Sequence, residues 1–114
     1  MAELYREKAV VPQVVCLGRK MKIAPGATRE LSCPKTSILN VAFRIRTTGP
    51  VHVTVEEAHE NGWGARETLE ALEGETVWHI ILKKATFRLR LTNPSDAREV
   101  VVSVDVNLPR AVSV

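Results

Sequence analysis

The stretch Phe87-Arg88-Leu89-Arg90-Leu91-Thr92-Asn93-Pro94-Ser95-Asp96-Ala97-Arg98-Glu99-Val100-Val101-Val102-Ser103-Val104-Asp105-Val106-Asn107-Leu108 decides the fold. On either side of Asn93-Pro94-Ser95-Asp96 the apolar residues recur at every second position. Phe87, Leu89 and Leu91 alternate with Arg88, Arg90 and Thr92; Val100, Val102, Val104, Val106 and Leu108 alternate with Val101, Ser103, Asp105 and Asn107. That period is the mark of strands with one buried face. Pro94 presets φ, and Asn93 and Asp96 can bond their own backbone, so the segment between reads as a turn. The two strands are expected to pair as an antiparallel hairpin.

The same pattern extends upstream. Leu39, Val41, Phe43 and Ile45 alternate with Asn40, Ala42, Arg44 and Arg46; after Gly49-Pro50, Val51, Val53 and Val55 alternate with His52, Thr54 and Glu56, which predicts a second hairpin. Met21 and Ile23 form a short strand, Pro25-Gly26 a turn, and Arg29 to Cys33 a return strand around Leu31. Val10 to Leu17 is a further strand, with Pro12 placing its start at an edge. Val77 to Leu82 is apolar on both faces and is expected to be a central strand, covered on both sides. Ala65 to Leu72 reads either as a helix or as an irregular strand. About eight short strands without a convincing helix describe an all-β, two-sheet antiparallel β-sandwich of jelly-roll or Greek-key type. Residues 10–108 make the sandwich, with an arm at 1–9 and a tail at 109–114. The inward set includes Leu39, Val41, Phe43, Val53, Leu89, Leu91, Val102, Val104 and Val106.

Composition agrees. The chain of 114 residues is one domain in size, and 25% charged with 45% hydrophobic residues excludes a disordered chain. Aromatics are 4%, so the core must be aliphatic. Glutamine occurs once, at Gln13, and Arg, Lys and Glu fill most polar positions, a lean towards a heat-adapted source. The opening Met-Ala-Glu-Leu-Tyr-Arg-Glu-Lys lacks the apolar core of a secretory signal. Apolar runs such as Val14 to Leu17 fall far short of the ~20 residues of a membrane span. The expected location is the cytoplasm, or a virion if the source is viral. Cys16 and Cys33 are expected as buried free thiols rather than a bridge.

The closing run, a Trp-bearing strand followed by Phe-Arg-Leu-Arg-Leu-Thr-Asn-Pro and an alternating valine strand, resembles the end of many jelly-roll sandwiches. Its Asn turn is similar to one in GOLD-type domains. The resemblance covers about a quarter of the chain and carries no function.

The chemistry is sparse. No Gly-x-Ser-x-Gly elbow or glycine-rich phosphate loop occurs, and the expectation is a protein that is not an enzyme and uses no cofactor. His52, His59 and His79 lack the spacing of a metal site and read as surface residues. Glu56, Glu57, Glu60, Glu67, Glu70, Glu73 and Glu75 read as a solvated face rather than an acid–base pair. They face only Arg66, so residues 56–75 carry a net −6; with the chain at +3, the remainder carries +9.

Arg44, Arg46, Arg88 and Arg90 point outward and, if their strands share a sheet, form one basic face. That face reads as edge protection, as a protein contact, or less readily as a nucleic-acid surface, since no aromatic is interleaved for stacking. Trp63, between Gly62 and Gly64, cannot belong to a regular element; it either caps the core or anchors a contact. The tail beyond Pro109 places Val112 and Val114 either on the protein's own sheet or on a neighbour.

These readings converge on a structural or interaction protein that forms a homo-oligomer or docks on a larger scaffold, as virion or filament accessory proteins do. Contact is expected between the lobe holding Glu67, Glu70 and Glu73 and the arginine face of another copy, with Trp63, Val112 and Val114 in support. The alternative is a small ligand- or carbohydrate-binding module using Trp63 and the nearby carboxylates, and behind it a nucleic-acid-binding domain using the arginines. No membrane partner is expected.

Overall fold

The structure, a computed structural model, describes residues 8–113, which hold ten strands and no helix. They are β1 (Lys8–Val11), β2 (Val14–Ile23), β3 (Thr28–Ser32), β4 (Asn40–Thr47), β5 (Val51–His59), β6 (Gly62–Ala71), β7 (Gly74–Ile81), β8 (Phe87–Thr92), β9 (Val100–Asn107) and β10 (Arg110–Ser113). All pairings are antiparallel. Counting inward from the two ends, β1 pairs with β10, β2 with β9, β3 with β8, β4 with β7 and β5 with β6. The chain is thus one long ribbon doubled at the β5–β6 turn. Two further pairings, β4 with β9 and β5 with β8, roll that ribbon into two sheets, β2-β9-β4-β7 and β3-β8-β5-β6. This eight-stranded order is a jelly-roll sandwich.

Alternation placed the core correctly. Val41, Phe43, Ile45, Val53, Val55, Leu89, Leu91, Val102, Val104 and Val106 are buried between the sheets, and Leu39 packs half-buried against them. Phe43 touches both Trp78 and Phe87, with ring centroids 6.1 and 6.2 Å away.

The expected hairpins do not form. β4 and β5 lie in opposite sheets, as do β8 and β9, and the strands around Pro25-Gly26. Alternation reports that one face is buried; it does not report which neighbour takes the hydrogen bonds. At Gly49-Pro50 the chain crosses from sheet to sheet, after Thr48 has donated its amide to the Val101 carbonyl at 3.1 Å. After β8, the buried Asn93 ties the two sheets together: its Nδ2 donates to the carbonyl of Ile23 at 3.0 Å and to that of Arg98 at 2.7 Å, while Oδ1 accepts from the Ser95 amide at 3.0 Å.

Other expectations are also corrected. β7 is an edge strand, not a central one, and its outward Val77 and Ile81 are 54% and 67% exposed. Residues 65–71 continue β6, and Trp63 does lie in a regular strand, opposite Ala58 beside the turn that Gly62 makes with φ 120°. The segments around Val15 and Met21 are one strand. Strict alternation through Val15, Leu17, Met21 and Ile23 would put Arg19 in the core. Two register shifts against β9, between Cys16 and Gly18 and between Gly18 and Met21, release it to solvent. A Cβ at Gly18 would overlap the Met21 thioether, so a larger residue there would force the buried methionine to move. The tail pairs with neither sheet: β10 pairs with β1 alone. The radius of gyration, 16.3 Å against roughly 13 Å for a compact chain of this length, is in keeping with a ribbon outside the sandwich.

Candidate functional site

The four arginines share no surface. Arg44 and Arg46 stand on β4 in the first sheet, Arg88 and Arg90 on β8 in the second, so the single basic face expected of them does not exist. Each of the four arginines instead pairs with a carboxylate of the same copy, Glu30, Glu56 or Glu75.

On the second sheet, the Nε–H of Arg88 donates to Glu56 Oε1 at 2.8 Å and its Nη1 reaches Glu30 at 3.4 Å; Arg90 lies 3.6 Å from Glu30 and 3.9 Å from Glu56. Cross-strand register sets this up, since Glu30 pairs with Arg90 and Glu56 with Arg88. The Arg88 and Glu56 side chains are only 21% and 11% exposed. Glu56 is therefore no solvated loop residue. Trp63 completes the cluster, its ring 4.3 Å beneath the Arg88 guanidinium. Arg90 Nε is buried without a hydrogen-bond partner. The next residue, Glu57, turns the other way after the register shift in β5, and its carboxylate accepts from the amides of Lys83 and Lys84. It too is buried, not solvated.

On the first sheet, Glu75 accepts from Arg46 at 3.3 Å and forms an ion pair with Arg44 at 3.0 Å. These side chains are about half exposed, and such pairs contribute little. Glu75 belongs to the acidic stretch, so part of that stretch neutralises arginines of its own molecule. Beside them Val14, Ala42 and Val77 edge a groove of about 230 Å³ that also holds Asp105 and Asn107.

The remaining candidates scatter. Glu67 and Glu70 are exposed on β6 and Glu73 lies in the turn before β7; none pairs with a cation among the described residues. His52 and His79 are exposed on opposite sheets and do not converge. Cys16 is exposed rather than buried, because it sits on the outward side of edge strand β2. Cys33 is half-buried, and both thiols are free. Burial pushes the Cys33 pKa up to about 12. Val112 is half-buried on β10 opposite Ala9, and Val114 lies outside the described residues.

Reading the residues missed Arg19 and Lys20, which the β2 register shifts bring beside Arg44 and Arg46 around a second cleft. The available signal was Gly18-Arg19-Lys20 interrupting two inward-facing runs.

No family model matches the chain, and no curated protein matches its sequence. Among solved structures it is similar to the crystal structure of PirA, with a TM-score of 0.51 and 12% identity over 80% of this chain and 91% of that one. It is also similar to a point mutant of CBM29-2, a family 29 carbohydrate-binding module, with a TM-score of 0.50 and 13% identity over 89% of this chain and 78% of that one. At such identities the likeness shows the β-sandwich fold and nothing finer. Among the described residues no helix is long and apolar enough to cross a membrane.

Proposed function

We propose that this jelly-roll domain is a non-enzymatic interaction protein that works by assembly with copies of itself, the role of a virion or filament accessory protein. The observation that carries this reading is the ribbon of β1 and β10, which joins neither sheet. A lone two-stranded ribbon is marginal in water. This one has two open edges and an exposed Val10, 66% accessible. Open edges invite strand addition from another chain. Exposed Val77 and Ile81 on the β7 edge add a second apolar strip.

Size-exclusion chromatography with light scattering over a range of concentrations tests it. The full chain is expected to associate, and a chain lacking residues 109–114 to run as a monomer with an unchanged melting temperature. A full chain that stays monomeric at the highest concentration defeats the proposal.

A second reading, a carbohydrate-binding module, is favoured by one pairing of observations: the likeness to CBM29-2 and Trp63, 41% exposed on a sheet face rich in polar groups. Glycan-array binding that disappears in Trp63→Ala supports it; an array without signal removes it.

A further inference from the structure

We propose that the cleft beside the β2 register shifts binds a tetrahedral oxyanion, the phosphate or sulfate group of an acidic ligand. Arg19 and Lys20 sit in the irregular stretch of β2 there and line, with Arg44 and Arg46 of β4, a cleft of about 340 Å³ that also holds Ser103 and Asp105 of β9.

The balance of charge singles out this place. On the second sheet two arginines meet two glutamates and are neutralised. On the first, Arg44 and Arg46 share the one carboxylate of Glu75, which engages both through Nε. Arg19, Lys20 and Lys22, all exposed along β2, have no carboxylate within ion-pair distance among the described residues. Four cations thus line the cleft with the single carboxylate of Asp105, and Lys22 stands exposed further along β2. Much of the molecule's surplus positive charge gathers at this end of one sheet.

The backbone supports the same conclusion independently. Lys20 has φ 50°, the left-handed region that residues with a side chain seldom occupy. Such outliers concentrate at functional positions, and bulges serve to re-aim side chains there. The Lys20 amide donates to Ser103 Oγ at 2.8 Å. The serine hydroxyl accepts that bond, so its own proton remains to be donated into the cleft.

The chemistry names the ligand class. Guanidinium forks and an ammonium suit phosphate and sulfate oxygens. The outward residues of the first sheet, from Cys16 and Lys22 through Ser103 and Arg46 to Val77 and His79, include no Phe, Tyr or Trp. A base or sugar ring therefore finds no stacking platform, and recognition rests on the anionic group itself. This inference is independent of the self-association proposed above.

Amide chemical shifts of the full chain, followed during titration with sodium phosphate and separately with sodium sulfate at constant ionic strength, test it. Saturable shifts are expected at Arg19, Lys20 and Ser103. Lys20→Gly and Arg46→Gln should each weaken binding at least about tenfold, the loss of one charge-assisted hydrogen bond. Lys20→Gly keeps the fold, since glycine accepts φ 50° freely; Lys84→Gln, at an exposed cation in the segment between β7 and β8, should leave binding unchanged. Tighter phosphate binding assigns a phosphorylated ligand and tighter sulfate binding a sulfated one, and either supports the site. Shifts that never saturate, that spread over all exposed cations, or that survive both Lys20→Gly and Arg46→Gln overturn it.

Discussion

Arg88 lies with its guanidinium 4.3 Å over the ring of Trp63, and that stack stands on the nearly buried carboxylate of Glu56. The arginine therefore belongs to the structure of the second sheet rather than to a free contact surface. Its Nε–H bond to Glu56 satisfies an acid that has little access to water. Arg88→Ala is expected to cost about 2–4 kcal/mol, since it strands the carboxylate. Arg44→Ala, which breaks an exposed pair, should cost under about 1 kcal/mol. Urea unfolding of the two variants checks the order. Reversing Arg88 and Arg90 to Glu, which outward alternation alone presents as harmless, gathers four carboxylates in one cluster and is expected to unfold the domain.

Asn93 is the corresponding tie between the sheets. Its amide donates to two carbonyls from inside the fold. Asn93→Asp keeps the shape and loses both donors, with an expected cost of about 2–4 kcal/mol near neutral pH. Burial against carbonyls raises the folded-state pKa of the new carboxyl above its unfolded value of ~3.9. The penalty is then full above the folded pKa and shrinks as pH falls towards the unfolded one. Denaturant melts of this variant and the native chain between pH 4 and 8 should therefore converge on acidification; a gap that stays constant or widens contradicts the assignment.

Leu89 is fully buried at the centre of the second sheet. Leu89→Ala should cost roughly 2–5 kcal/mol, the range for a large cavity in a core that relaxes only in part. Thermal or urea melts measure it, and a loss under 1 kcal/mol would mean that the sheets can collapse onto the gap.

The two thiols should separate cleanly. Cys16 is exposed, whereas burial pushes the Cys33 pKa up to about 12. In the native protein at pH 8, Ellman's reagent should titrate one thiol quickly, and only Cys16→Ser should remove that signal. The unfolded Cys33 ionises near ~8.5, so above that pH the unfolded chain holds fewer protons than the native one. The stability due to the neutral buried thiol is complete below ~8.5 and declines as pH rises towards about 12. Cys33→Ala should flatten that decline.

Burial was legible in the residues and partnership was not. The alternation of Val100 to Leu108 predicts every inward residue of β9, because a strand shows its buried face locally. That β9 lies between β2 and β4 depends on residues some sixty to ninety positions away, and no local pattern carries such information. The composition around Gly49-Pro50 marks a turn, but a hairpin and a crossing between sheets use the same residues. For the same reason the site reading paired Arg44 with Arg88. Charge on a strand is visible in sequence, but which carboxylate lies across the ladder depends on register. Arg19 escaped notice because it fell between two segments read as separate strands, which the structure joins through the shifts around Gly18.

The doubled-back ribbon also dictates when this protein can fold. Only β5 and β6 find their partners close by in the chain; each pair further out, to β2 with β9, closes a longer loop than the one before, and non-local closure slows folding. A nascent chain ending at Glu99 has β2 with no sheet neighbour at all, since β9 is its sole partner there. The growing polypeptide must keep Met21, Ile23 and the inner face of β4 from sticking elsewhere until Asn107 has left the ribosome. Its sandwich thus cannot close before β9 has been made, and until then those apolar faces stay open to misassembly.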